Sequence, residues 1–137
     1  MLPSLALVYM RTQDARGVAR SAGGRIMREI NLEAGMPTAD AAVKRLTFEL
    51  HNTRRLGVTA LKIIHGYGSS GKGGKIRVEA RNYLERLQKR GELRLIIPGE
   101  RFSIFDADTR AAFLIDGELR GDRDLDRHNN GVTFVVV

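Results

Sequence analysis

Apolar positions along the chain fall into two periods. From residue 38 onward one stretch repeats every three or four positions, Ala39, Ala42, Val43, Leu46 and Leu50, and predicts an amphipathic helix. Thr38 stands where an N-cap belongs, Asp40 suits the positive end of the dipole, and Gly57 closes the helix after Leu56. A second stretch, Ile76, Ala80, Tyr83, Leu84 and Leu87, has the same spacing and ends at Gly91 behind Lys89 and Arg90. Between and after these helices the apolar residues come in short runs. Leu61 to Ile64, Leu93 to Ile97 and Gly131 to Val137 predict strands, the last rich in β-branched residues. Ile30-Asn31-Leu32 alternates and predicts a short first strand after Arg28. Asp106 caps a short helix candidate that reaches Leu114.

The resulting order is β-α-β-α-β-(helix or loop)-β. It predicts an α/β fold, a two-layer sandwich with a mixed, mostly parallel four-stranded sheet over residues 29–137. One sheet face would be only partly covered by the two long helices. Residues 1–28 mix arginine with small residues and lack a period, so a basic, disordered leader is expected there. Its apolar patch, Leu2 to Met10, is too short to cross a membrane, which needs about 20 residues. No basic side chain precedes the patch, so it makes a poor signal peptide.

Charge changes the picture more than composition does. The 137 residues carry a formal net charge of +7. Residues 98–137 hold five Lys/Arg against eight Asp/Glu, so the excess lies in the leader and the middle of the chain. That balance points to DNA or RNA as partner rather than to a membrane. Cysteine is absent, which removes disulfides, thiolate metal sites and a cysteine nucleophile, and fits a cytoplasmic location. The sequence says nothing about oligomeric state.

The candidate chemistry sits between the second strand and the second helix. His65-Gly66-Tyr67-Gly68-Ser69-Ser70-Gly71-Lys72-Gly73-Gly74-Lys75-Ile76-Arg77 is glycine-rich and basic, and it opens a helix. Glycines let backbone approach a ligand, and a helix N-terminus offers free N–H groups to an anion. Two nucleotide motifs almost fit. Gly66-x-Gly68-x-x-Gly71 matches the dinucleotide fingerprint, but Lys72-Gly73-Gly74 intervenes before the helix, and Glu100 lies too far along to serve a ribose. Gly66-x-x-x-x-Gly71-Lys72 matches an NTPase phosphate loop until Gly73 replaces the hydroxyl that would hold Mg²⁺. No nucleotide cofactor is therefore expected. A sugar–phosphate clamp remains, built from Gly66, Gly68, Ser70, Gly71, Gly73 and Gly74 backbone with Lys72, Lys75 and Arg77, and with His65 at the strand end. Tyr67 would either stack on a base or pack the loop. Asp122-x-Asp124-x-Asp126 starts like a calcium loop, but Arg127 replaces the required glycine and no closing Glu follows, so it reads as a polar turn.

The same run, Ile63 to Arg77, resembles the signature of the Smr (small MutS-related) domain family, with its HGxG motif after a strand. Asn130-Gly131-Val132-Thr133-Phe134-Val135-Val136 resembles that family's last strand. The resemblance covers about residues 29–97 and this closing strand. It implies a fold like the C-terminal domain of translation initiation factor three. It also implies nucleic-acid binding, with nicking endonuclease activity on DNA or RNA in some members. Asn31 and Glu33 stand where the family's first strand carries an Asp and a His. Three readings follow. The first is a binding domain acting through His65–Arg77. The second is a nicking endonuclease in which His65 and Glu33 handle protons or a Mg²⁺ or Mn²⁺ ion. The third is a ribosome- or partner-associated module without chemistry, its acidic C-terminal third masking or directing the basic face.

Overall fold

The computed structural model describes residues 18–20, 26–67 and 73–137. Its strands are β1 (Val18–Arg20), β2 (Ile26–Asn31), β3 (Ala60–Ile64), β4 (Leu95–Pro98) and β5 (Val132–Val136). Its α-helices are α1 (Ala39–Arg55), α2 (Gly73–Lys89) and α3 (Ala107–Ile115), and two 3-10 turns occupy Gly99–Arg101 and Gly117–Gly121. The strands form one sheet in the order β1-β2-β3-β5-β4.

The α/β class is as expected, but the direction of the sheet is not. Only β2 and β3 run parallel; β1–β2, β3–β5 and β4–β5 are antiparallel. The mostly parallel four-stranded sheet is thus corrected to a mostly antiparallel one, of five strands among the described residues. The reason lies in β5. All five of its residues are buried, as in a central strand covered on both faces. It enters between β3 and β4 and reverses the local direction. Such a run is equally apolar whichever way it points. The fifth strand is β1, which pairs Val18 to Arg28 and Arg20 to Ile26. Strand structure therefore reaches into the stretch expected to be a leader, while residues 1–17 and 21–25 lie outside the described residues.

Two cores flank the sheet. On one face, Leu61 and Ile63 of β3 pack with Ala42, Leu46 and Leu50 of α1 and Ala80, Leu84 and Leu87 of α2. Thr38 caps α1 by accepting from the Ala41 N–H at 3.1 Å. Gly57, at φ +71°, ends it in the left-handed conformation that a side chain disfavours. On the other face, Ala60 of β3 joins Phe134 and Val136 of β5, with Phe102, Ala112, Phe113 and Leu119 above them. Phe102 stacks on Phe134 with ring centroids 4.0 Å apart. The sheet with α1 and α2 makes the expected two layers, and α3 with the 3-10 turns adds a thin cover to the second face. Asp106 caps α3 through the Thr109 N–H.

Candidate functional site

The carboxyl ends of β2, β3 and β4, the start of β5 and the first turn of α2 meet at one end of the sheet. In open α/β sheets this is where ligands collect. His65, Gly66 and Tyr67 follow β3 at this end. Gly131, just before β5, accepts from both the His65 and Gly66 N–H groups at 3.0 Å. That shared carbonyl fixes the motif's backbone to the start of the last strand.

His65 is fully buried. Its Nδ1 lies 2.7 Å from the Gly66 carbonyl and its Nε2 lies 2.8 Å from Thr133 Oγ1. A carbonyl only accepts, so Nδ1 carries the proton and Nε2 accepts from the Thr133 hydroxyl. Thr133 in turn accepts from Arg81 Nε at 3.0 Å. Arg81 grips Glu100 with two parallel bonds of 2.8 and 2.9 Å and also donates to the Val132 carbonyl. Burial pushes the imidazole down from 6.5 to about 4, and the charges of Arg81 and Arg77 push the same way. At neutral pH His65 is uncharged and both ring nitrogens are engaged. Burial alone would raise the Glu100 carboxyl, but hydrogen bonds and charge from Arg81 outweigh it and hold it below the usual range.

Gly66 has φ +74°, and a Cβ there would collide with the Glu33 carboxylate. Glu33 itself is exposed. Its N–H donates to Asn31 Oδ1 at 2.8 Å, so the Asn31 amide holds the turn that aims Glu33 at Gly66. Lys75 is exposed and Arg77 half-buried in the opening turns of α2. Gly73 and Gly74 form the start of that helix, whereas Gly68, Ser70, Gly71 and Lys72 lie outside the described residues. The structure thus brings together His65, Gly66, Tyr67 and Glu33, and places Lys75 and Arg77 at the head of the helix that supplies Arg81.

Sequence reasoning missed the other wall of this end. Lys62 of β3 faces the second core and is almost wholly buried. Its Nζ bonds Asp122 at 3.0 and 3.1 Å and Asp124 at 2.6 Å, and it sits 5.5 Å from the Phe134 ring centroid. Burial would raise the Asp124 carboxyl, but hydrogen bonds from Lys62 and Asn129 pull it below its usual range. Asn129 Nδ2 donates to Asp124, and Asn129 Oδ1 accepts from the Gly131 N–H. A chain of polar contacts therefore runs from Lys62 through Asp124 and Asn129 to the N–H of Gly131, the residue whose carbonyl holds the His65–Gly66 backbone. The only hint in the sequence was a lysine inside an apolar run.

Sequence comparison finds no matching family model and no matching curated protein. One similar solved structure is the Smr domain of MutS2 from Thermus thermophilus. It shares 19% identity over 79% of this chain and 94% of that chain, with a TM-score of 0.48.

Proposed function

We propose that this chain binds nucleic acid, gripping sugar–phosphate at the sheet end formed by His65, Gly66, Tyr67 and the head of α2. The observation that carries the reading is the convergence of a positive-φ glycine, a helix start and uncompensated cations at one place. Neither Lys75 nor Arg77 makes a side-chain hydrogen bond or ion pair with a described residue, in contrast to Arg81 nearby. Such cations are available to phosphates. His65 serves as a positioning residue: neutral and sealed, it ties the motif to Thr133 and so to β5. Ser70, Gly71 and Lys72 complete the grip in this reading.

Nicking is the second reading, and one contact favours it. An exposed carboxylate, Glu33, lies against the Gly66 backbone where a phosphate would sit. Among the described residues no cluster of His, Asp and Glu could hold a metal ion by itself, so no step is routed through one.

Binding is tested by titrating a labelled oligonucleotide at several salt concentrations. Affinity should fall steeply with salt, and Lys75→Ala and Arg77→Ala should each reduce the log–log slope by about one. Salt-independent binding, or slopes that ignore both changes, refutes the reading. For nicking, supercoiled plasmid is incubated with Mg²⁺ or Mn²⁺. Relaxation by the wild type that Glu33→Gln abolishes supports it; equal relaxation by both overturns it.

A further inference from the structure

Beside the motif lies an open groove of about 620 Å³, lined by Tyr67, Arg123, Asp124, Arg127, His128, Asn129 and Asn130. We infer that this groove takes one unpaired nucleotide, its base stacked on Tyr67 and its flanking phosphates held by Arg123 and Arg127. The inference rests on the nucleic-acid reading above and narrows it to single-stranded substrate.

Three observations lead there. Tyr67 is 58% exposed although it follows a fully buried histidine. One edge of its ring lies near Gly131, where an added Cβ would stand 3.3 Å from Tyr67 Cδ1, while much of the ring stays open. Arg123 and Arg127 are exposed, and neither side chain makes a hydrogen bond or ion pair with a described residue. Asn130 is exposed likewise, with an amide able to both donate and accept at a base edge.

The opposite wall is held for the reason already given: Lys62 draws Asp122 and Asp124 inward, while Arg123 between them and Arg127 beyond them are exposed. Asp126 and His128 adopt positive φ of 62° and 55°, which shapes the loop tightly around the groove. Aromatic residues form only 6% of the chain, so a single stacking platform next to a phosphate grip fits better than a multi-base track. A duplex keeps its bases paired and stacked, and offers Tyr67 no free face.

The test compares a fluorescein-labelled 12-nucleotide single strand with a blunt duplex of the same sequence by anisotropy at fixed salt. Tyr67→Ala should weaken single-strand binding about tenfold and duplex binding several-fold less, since only an unpaired base offers the ring a face. Tyr67→Phe should keep wild-type affinity. Arg123→Gln and Arg127→Gln, both on the surface, should each lower the single-strand salt slope by about one. Equal losses on both substrates, or no loss with Tyr67→Ala, overturn the groove. If Lys75→Ala and Arg77→Ala still weaken binding in that case, the phosphate grip stands and only the groove falls. If those two also bind like wild type, the nucleic-acid reading itself fails.

Discussion

Acid should unfold this domain earlier than its carboxylates alone require, and His65 should be the cause. In the fold its Nδ1 already donates to Gly66 and its Nε2 accepts from Thr133. A second proton would place an N–H against a hydroxyl oxygen that also receives Arg81 Nε. It would also add a buried charge near Arg81 and Arg77. The folded pKa is about 4 against 6.5 for a free imidazole, so the unfolded chain takes the proton first. The stabilisation is complete above pH 6.5, is lost progressively as pH falls from 6.5 towards 4, and changes no further below that. At about 1.4 kcal/mol per pH unit, the full loss is about 3 kcal/mol, and about 2 kcal/mol is gone by pH 5.0. Domains of this size hold about 5–15 kcal/mol in total, so the loss is large. The depressed Glu100 and Asp124 carboxyls titrate below the free values of 4.5 and 3.8 and hold their contribution above pH 5. Urea unfolding at pH 7.5 and 5.0 therefore isolates the histidine. The midpoint should drop by about 1–2 M in the wild type and stay nearly constant in His65→Gln. An equal drop in both proteins, or a His65 imidazole resonance that titrates near pH 6.5 in the folded state, would refute the reasoning.

Two further changes test the architecture around the site. Lys62→Met should cost about 3 kcal/mol, because it leaves Asp122 and Asp124 side by side and nearly buried without a counter-charge. The midpoint of thermal unfolding should fall by about 10 °C, and adding Asp122→Asn and Asp124→Asn should restore more than half of the loss. Gly66→Ala should cost about 1–2 kcal/mol from the left-handed backbone plus the collision with Glu33. In a Glu33→Ala background the collision disappears and only the backbone cost remains, so non-additive losses in a urea double-mutant cycle check the contact.

What could be read from the chain follows the range of the interactions involved. α1 is specified locally, by the Thr38 cap, the three-and-four spacing and Gly57, and it forms where expected. α3 likewise starts behind Asp106. Sheet direction is not local: β5 pairs Val132 with Ile64 and Thr133 with Pro98 across long stretches of chain, and its apolar run looks the same in either direction. β1 has no pattern of its own and exists through pairing with Ile26 to Arg28. At the site, the HGxG run marked the position of His65 but not its burial, which depends on Thr133, 68 residues away. The role of Asn31 was equally hidden. As a residue type it only subtracts an acid from the expected pattern, whereas in the fold it shapes the turn that presents Glu33.

The acidic C-terminal third also changes meaning once its partners are known. A mask over the basic face would need its carboxylates free and directed at Lys75 and Arg77. Instead Asp122 and Asp124 close on Lys62, Glu100 on Arg81, and Asp106 and Asp108 lie 3.7 Å from Arg101. Asp116 is buried, accepting from Thr59 at 2.6 Å. These acids are compensated inside the third layer or at its seam with the sheet. Arg123 and Arg127 of that segment are exposed at the groove beside the motif, together with His128 and Asn130. A formal −3 over residues 98–137 therefore coexists with two exposed arginines beside Tyr67, because charge counted along the chain ignores which charges have already found each other. The same pairing that removes the acids from solvent holds the loop that carries the two arginines, so fold stability and a ligand-facing basic wall come from one buried lysine.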